Sequence, residues 1–313
     1  MKVLVTGITG MIGTHFASAC RNRGWEVYGI ARSSAASRLA DDGIRDVIRC
    51  DIVDKSGVEN IFREREFDCV AHFAAQAFNS VSWEQEWYTH HVNNFGAMNV
   101  LSCVRRFCPP AKVLLACSSA EYGLAKAADG PLGEDRPLHP VSPYGISKVV
   151  TEMMGYQYFQ NYGLRVYLPR LFIHVGTGHP PATAIQNFAR QLAKIKQGKQ
   201  APVLDVGVLT TARDFIDVRD GVAGLMLLLD SDLVGTPVNI STGKAHSIAY
   251  ILETLIKIAG VEVEVKRNKN LLRPSDEEVL LGNNERLQSL GWRQQYSLEE
   301  TLRDVFEDWM RRV

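Results

Sequence analysis

The chain has 313 residues, 46% of them apolar and 22% charged, which is enough to bury one large core or two moderate ones. Lysine plus arginine equals aspartate plus glutamate at 35 each, so no net charge attracts the protein to nucleic acid or an anionic membrane. The chain opens on a strand pattern instead of a signal-peptide segment, and no apolar run approaches about 20 residues. We therefore expect a cytoplasmic protein of two domains, with no nucleic-acid or membrane partner.

Six cysteines show no C-x-x-C pair, and several fall inside apolar runs. This pattern is typical of buried thiols in a reducing cytosol. The cysteines are Cys20, Cys50, Cys69, Cys103, Cys108 and Cys117.

The first half of the chain alternates between short β-branched segments and longer amphipathic ones. Strand patterns are "KVLVTG", "EVYGIAR", "DCVAHFAA" and "AKVLLACSS"; helix patterns between them are "MIGTHFASACRNRG", "VENIFREREF" and "NNFGAMNVLSCVRRFC". A further helix begins near Pro143, with Ser142 as its N-cap, and "RVYLPRLF" follows as a strand. The nearly all-apolar strands predict an α/β fold with a Rossmann-type, doubly wound parallel sheet.

After residue 173 the alternation loosens. We expect residues 1–173, with a returning segment 213–243, to form the nucleotide-binding Rossmann domain. Residues 174–212 and 244–313 are expected to form a smaller C-terminal α/β substrate domain, with helices near 247–259 and 298–310.

A glycine-rich turn, "TGITGMIG", joins the first strand to the first helix. Gly7, Gly10 and Gly13 allow a tight turn, close approach of a pyrophosphate and close packing of helix on strand. The free N–H groups at the helix start attract phosphates. This context favours a dinucleotide site over a plain turn. Further cofactor contacts are expected from Thr9, Met11 and Ile12.

The second strand ends at Arg32 and Ser33, where NAD-binding proteins carry an acidic residue. An arginine cannot accept bonds from ribose hydroxyls, but its planar fork suits a 2′-phosphate. The sequence therefore favours NADP(H), with NAD(H) possible; a solvated surface arginine is the alternative. Asp51, with Ile52 beside it, is expected to accept from the adenine amino group.

Tyr144 and Lys148, in "YGISK", lie four residues apart and so share one helix face. A lysine cation near a phenol favours phenolate and lowers its pKa, which suits an acid/base catalyst. Alone, the Y-x-x-x-K pattern is common and mostly structural. Combined with the glycine turn and with Ser118 at the end of an intervening strand, it becomes a specific signal of an acid/base site.

At this point the chain resembles the extended short-chain dehydrogenase/reductases, which act on sugar nucleotides. The motifs in family order are "TGITGMIG", "HFAA", "NNFGAMNVL", "SSAEYG", "SPYGISK", "PRLF", "ARDFIDVRD" and "LRPSD". The resemblance implies that Tyr144 is the acid/base, that Lys148 modulates its pKa and binds the nicotinamide ribose, and that Ser118 binds the substrate oxygen. It also places Asn93 in support of the active-site lysine, and Ala74 and Ala75 beside the cofactor.

Within the family, the chain is similar to the branch of GDP-4-keto-6-deoxy-D-mannose reductases and GDP-mannose 4,6-dehydratases. That resemblance implies that Arg213 and Arg273 clamp the diphosphate of a GDP-linked sugar and that Ser119 contacts substrate. It also implies a homodimer with a four-helix interface. Apolar residues on the Tyr144 helix offer such a face or else cover the sheet; they are Val149, Val150, Met153 and Met154.

Ala120 bears on whether the site can catalyse dehydration or only reduction. Dehydratases of this branch look like T-D-E or T-S-E across residues 118–120, with an acid that protonates the leaving 6-hydroxyl. Here that position is a methyl group, and the neighbouring Glu121 is expected to point away. The sequence therefore favours NADPH-dependent reduction of a 4-keto-6-deoxyhexose.

Two departures concern the substrate. Ile173 and Val208 stand where these relatives have asparagines, which makes the pocket more apolar. The alternatives are a sugar-nucleotide epimerase or 4,6-dehydratase with a tightly held cofactor, and a non-catalytic nucleotide-binding regulatory protein. The intact Ser118, Tyr144 and Lys148 argue against the last.

Two histidines and two tryptophans are expected to have structural roles and not to bind a metal or a base. His174 and His179 lack companions at metal-ligand spacing, so we expect pocket or surface residues and no metal site. Trp83 and Trp87, four apart, favour packing over a base-stacking platform.

Overall fold

The computed structural model describes residues 1–32, 43–268 and 278–313. Its main sheet is parallel, with strand order β11-β7-β5-β4-β1-β2-β3, and β6 pairs with β7. These strands are β1 (Lys2–Thr6), β2 (Glu26–Ala31), β3 (Asp46–Arg49), β4 (Cys69–His72), β5 (Lys112–Leu115), β6 (Cys117–Ser118), β7 (Arg165–Leu171) and β11 (Pro237–Ile240).

Helices cover both faces of this sheet. In β1, Val3 and Val5 belong to one apolar cluster and Leu4 to another, because successive strand residues point to opposite faces. The doubly wound sheet is therefore confirmed. The helices are α1 (Met11–Asn22), α2 (Lys55–Glu64), α3 (Asn79–Glu84), α4 (Glu86–His90), α5 (Gly96–Phe107), α6 (Pro143–Tyr162) and α8 (Val218–Asp230).

Two smaller sheets and several helices lie outside the main sheet. A four-stranded sheet joins β8 (Ile173–Val175), β10 (Ala212–Asp217), β12 (Ala245–Ser247) and β14 (Val279–Leu280), and β9 (Val203–Val206) pairs with β13 (Glu264–Arg267). Helices α7 (Ala184–Lys196), α9 (Ile248–Ala259) and α11 (Leu298–Arg312) share a third apolar cluster, and α10 (Glu285–Ser289) precedes α11.

The segment 213–243, expected to return to the main sheet, does so only in part. β11 pairs with β7 of the main sheet, whereas β10 pairs with β8, β12 and β14. Within residues 213–243, β11 joins the main sheet as its edge strand, and α8 packs against β7 and β11. The division into two domains stays a prediction.

All six cysteines are free thiols. Burial raises the pKa of Cys20 to about 12 and that of Cys103 to about 11. Among the described residues, no helix has the length and apolar character needed to cross a membrane.

Candidate active site

The glycine turn between β1 and α1 forms one end of the site. Gly7 has a φ of 68°, and a Cβ there would lie 2.7 Å from the Ala74 nitrogen. A Cβ on Gly13 would lie 2.3 Å from the Gly7 carbonyl oxygen. Gly10, the N-cap of α1, makes no side-chain capping bond, so the first N–H groups of the helix are available to an external acceptor such as a phosphate.

Three further residues of this turn are at least partly accessible. Thr9 is exposed, and Met11 and Ile12 are half-buried. A backbone that approaches closely, with helix N–H groups open, fits the pyrophosphate of a dinucleotide.

Arg32 lies at the end of β2, and its Nη1 donates a hydrogen bond to the Tyr88 hydroxyl. Asp51 Oδ1 accepts from the Val53 nitrogen at 3.2 Å, and the Ile52 carbonyl accepts from Asn99 Nδ2 at 3.0 Å. The loop after β3 is thus held in place beside Arg32. Ser33 lies outside the described residues.

The end of β4 packs against the glycine turn. Thr6 Oγ1 lies 2.8 Å from His72 Nδ1 and accepts from the Ala74 nitrogen at 3.2 Å. Burial, followed by the charge of Lys148, lowers the pKa of His72 to about 3. His72 is therefore a neutral structural group that fixes Ala74, with Ala75 next to it, beside Gly7.

Ser118, Tyr144 and Lys148 converge where β6 ends against α6. The Ser118 side chain lies close enough to the Tyr144 phenol to lower its pKa in part. Lys148 Nζ lies 5.9 Å from the centroid of the Tyr144 ring and donates to the Ala116 carbonyl at 2.9 Å. The structure thus brings together the three residues predicted to be catalytic.

The expected lowering of the phenol pKa is wrong. Burial raises the pKa of Tyr144 to about 12, and the neighbouring Ser118 side chain opposes that rise only in part. Burial also lowers the pKa of Lys148. Desolvation disfavours the charged form of both groups, so Tyr144 is a protonated, neutral phenol near neutral pH.

Asn93 is linked through Ser147 to α6, the helix that carries Tyr144. It lies in a π-helical turn, His91–Phe95, between α4 and α5. Its Oδ1 accepts from the Gln76 nitrogen at 2.8 Å, and its Nδ2 donates to Ser147 Oγ at 2.9 Å. Ser147 Oγ in turn donates to the Tyr144 carbonyl at 2.7 Å. Sequence reasoning missed Gln76 and Ser147, although Ser147 lies within the "YGISK" motif.

Ala120 and Glu121 take different places in a 3₁₀ turn, Ser119–Tyr122. Ala120 is half-buried, and its N–H donates to Ser118 Oγ at 3.2 Å. Glu121 is fully buried, and its Oε1 accepts from the Ser118 nitrogen at 2.6 Å. The carboxyl group of Glu121 is thus turned away from solvent and into the protein.

The expected substrate contacts are only partly described. Arg213 lies in β10 and is 8% exposed, and its Nη1 donates to the Ala212 carbonyl at 2.8 Å. Ser119 is 4% exposed, which leaves little of it for a substrate contact. Arg273 and the "LRPSD" motif lie outside the described residues.

Ile173 and Val208, which replace the asparagines of the resembling enzymes, lie near the smaller sheets, as do the two histidines. Ile173 and Val208 are half-buried, and Ile173 packs against the third apolar cluster. His174 Nδ1 bonds the Phe172 carbonyl at 2.8 Å, and burial lowers the pKa of His174 to about 4. His179 Nδ1 lies 2.9 Å from the Pro180 carbonyl oxygen.

The two tryptophans do not share a helix. Trp83 lies in α3 and Trp87 in α4, because the chain leaves helical geometry at Gln85. Trp87 is 75% exposed and stacks on His91 with ring centroids 4.6 Å apart. Trp87 thus packs on His91 at the surface of the chain and not in its core.

Comparison with known protein families gives a match to the family model described as GDP-mannose 4,6 dehydratase, over residues 4–305. GDP-6-deoxy-D-mannose reductase of Pseudomonas aeruginosa is 28% identical over 315 residues, covering 100% of this chain and 98% of the relative. GDP-mannose 4,6-dehydratase of Vibrio cholerae is 27% identical over 351 residues, covering 98% and 93%.

Solved structures match over the whole chain. RMD from Pseudomonas aeruginosa, complexed with NADPH, has a TM-score of 0.88 at 28% identity, with 100% of both chains covered. UDP-glucose 4-epimerase from Thermus thermophilus, in complex with NAD, has a TM-score of 0.89 at 29% identity, again with full coverage. The similar proteins thus share one fold and differ in reaction and cofactor.

Proposed function

We propose that this chain reduces a GDP-linked 4-keto-6-deoxyhexose at C4. The chain belongs to the GDP-mannose 4,6-dehydratase family and is an NAD(P)-dependent oxidoreductase of the extended short-chain dehydrogenase/reductase type. One observation carries the choice of reaction. Ser118, Tyr144 and Lys148 are assembled, while Ala120 presents a methyl group where the dehydratase resemblance requires an acid.

Apart from the cofactor, reduction requires only groups that the site holds. A nicotinamide cofactor held at the glycine turn would supply the hydride to C4. Tyr144, neutral because it is buried, donates its proton to the ketone oxygen, and the Ser118 hydroxyl orients that oxygen. Lys148, fixed by the Ala116 carbonyl, stabilises the negative charge that develops on the phenol oxygen.

Dehydration requires a further proton for the leaving 6-hydroxyl. Glu121 is next in sequence, but its carboxyl group binds the Ser118 nitrogen and is fully buried. A group so placed has no exposed surface from which to protonate a leaving hydroxyl. This supports reduction over dehydration.

The proposed cofactor is NADP(H), with NAD(H) possible. The glycine turn fits a pyrophosphate, as its close backbone contacts and uncapped helix start indicate. Arg32 uses one N–H group on Tyr88 and carries others in the same planar fork. A 2′-phosphate therefore finds a bidentate donor at the end of β2.

The proposed assembly is a homodimer through α5 and α6. On α6, Val150 and Met153 are exposed and are available for a dimer face, whereas Met154 packs against the second apolar cluster and so covers the sheet. Exposed apolar residues also occur at Ile146 and at Phe95. A second copy that covers these side chains removes them from water. We also propose a cytoplasmic location, which six free thiols support.

An incubation test separates the reactions. The pre-formed GDP-4-keto-6-deoxyhexose with NADPH is expected to lose nicotinamide absorbance, whereas GDP-mannose with NADP is expected to give no keto product. Tyr144→Phe removes the proton donor and little contact area, so it should abolish reduction and retain nucleotide binding.

Substantial dehydration of GDP-mannose by the unaltered protein would refute the assignment. To identify the nucleotide base of the substrate, a thermal-shift screen compares GDP with UDP and dTDP, since a ligand that binds the folded state raises apparent stability. The GDP proposal predicts the largest shift with GDP. A larger shift with UDP would favour the epimerase alternative.

A further inference from the structure

The buried carboxyl group of Glu121 takes no part in the proposed proton transfer, yet it bonds the residue that would orient the ketone. Glu121 Oε1 accepts from the Ser118 nitrogen at 2.6 Å, and Ser118 Oγ accepts from the Ala120 nitrogen at 3.2 Å. These two bonds form a capping box around the 3₁₀ turn Ser119–Tyr122. They hold the main chain and the side chain of Ser118 together.

The other oxygen of Glu121, Oε2, accepts no hydrogen bond from the described part of the chain. A carboxyl oxygen of Glu152 lies within 4.8 Å of the Glu121 carboxyl group. Arg170 Nε lies 3.8 Å from Glu121 Oε2, too far for a hydrogen bond. Arg170 instead binds Glu152 at 2.8 and 2.7 Å. One guanidinium thus neutralises Glu152, and Glu121 is a second buried carboxyl beside an ion pair that is already balanced.

Burial, followed by the charge of Glu152, raises the pKa of Glu121 well above its usual range. A charged Glu121 would act on the catalytic groups, because its charge raises the pKa of Tyr144 and of Lys148. The titratable and charged groups around Glu121 are Cys117, Tyr144, Lys148, Glu152 and Arg170.

We propose that Glu121 is a positioning residue for ketone reduction, which as a neutral carboxylic acid holds Ser118 in the orientation that presents its hydroxyl to the substrate oxygen. The inference rests on the proposed function and adds to it the residue that orients Ser118. Glutamine reproduces this role, since its amide oxygen accepts from the Ser118 nitrogen and it carries no charge. Leucine fills a similar volume without an acceptor.

The first test compares three variants with NADPH and the keto sugar. Glu121→Leu leaves the Ser118 nitrogen unbonded and is expected to lower kcat about 10- to 100-fold, as small displacements of catalytic groups do, with little change in the Kd of NADPH. Glu121→Gln is expected to recover kcat to within about threefold of wild type, since the acceptor is restored.

Glu134→Leu is the matched control. Glu134 is also a buried carboxyl, and its Oε1 accepts from the Asn239 nitrogen at 2.9 Å, away from Ser118. Its loss should lower the melting temperature without the fall in kcat. A Glu121→Leu enzyme with wild-type kcat, or a Glu121→Gln enzyme as slow as Glu121→Leu, would overturn the proposal.

The second test requires neither substrate nor a folded leucine variant. The infrared difference spectrum of wild type minus Glu121→Gln at neutral pH should contain the carbonyl-stretch band of a protonated carboxylic acid. A carboxylate band in its place would overturn the neutral state. A protein that shows the acid band but consumes no NADPH with the keto sugar refutes the proposed function and leaves the neutral state of Glu121 standing.

Discussion

Asn93 and Ser147 are 54 residues apart in sequence, and the Asn93 amide donates to the Ser147 hydroxyl at 2.9 Å. Ser147 lies on α6 between Tyr144 and Lys148, and Asn93 lies in the π turn before α5. Both side chains are buried. This bond therefore fixes α6 to the neighbouring helix at the level of Tyr144.

Replacement of Asn93 by alanine is expected to reduce both stability and catalysis. The Gln76 nitrogen loses its acceptor, and an unsatisfied buried polar group costs about 1–3 kcal/mol. Displacement of α6 should also lower kcat about tenfold. Chemical denaturation and steady-state rates with NADPH measure the two effects. Asn99→Ala, which removes a comparable buried bond to the Ile52 carbonyl, is the control and should lower stability without the same loss of kcat.

Cofactor preference is expected to depend on Arg32. In Arg32→Asp, repulsion should weaken NADPH binding, while the carboxylate accepts the ribose hydroxyls of NADH. We expect the ratio of kcat/KM for NADPH to that for NADH to fall about 100-fold, equivalent to about 2.7 kcal/mol. Arg303→Asp, at an exposed arginine of α11, is the matched control for net charge. An unchanged ratio in Arg32→Asp would show that Arg32 is only a surface residue.

The pH dependence of the two reaction directions is expected to differ. Because the pKa of Tyr144 is raised to about 12, the phenol is protonated below that pH. Reduction, which needs the protonated form, should show no rising limb between about pH 6 and pH 9. Oxidation of the product by NADP needs the phenolate and should accelerate up to about tenfold per pH unit. A reduction rate that increases with pH over this range would contradict the role of Tyr144 as proton donor.

The proposed dimer predicts that charge on α6 disrupts assembly. Met153 is 46% exposed, and a two-fold axis brings two copies of the interface together, so Met153→Glu places two carboxylates in it. We expect micromolar wild type to elute as a dimer in light scattering and Met153→Glu as a monomer. Val265→Glu, at an exposed apolar residue of β13, is the control and should stay dimeric. A monomeric wild type would refute the interface.

Local signals predicted the elements that carry the chemistry. Gly7 adopts the positive φ that the glycine turn requires, and Ser142 caps α6 by accepting from the Gly145 nitrogen at 3.1 Å, as its sequence context indicates. These features depend on neighbours within a few residues. Periodicity and turn chemistry are therefore sufficient to find them.

Long-range features were not predictable in the same way. β10 pairs with β12 and β14, strands of two or three residues whose pairing depends on tertiary contacts. The raised pKa of Tyr144 follows from burial, which no spacing of residues reports. The buried Glu121, Glu152 and Arg170 come together from three separate elements, so only the fold reveals them.

The central claim is that this site reduces a ketone and lacks the acid needed for dehydration. The most direct measurement supplies the GDP-4-keto-6-deoxyhexose together with NADPH that carries deuterium at the transferable position of the nicotinamide. We predict consumption of one NADPH for each sugar, with deuterium at C4 of the product, and loss of this transfer in Tyr144→Phe. Conversion of the sugar without net consumption of NADPH, or formation of a keto sugar from GDP-mannose by the unaltered protein, would contradict the assignment.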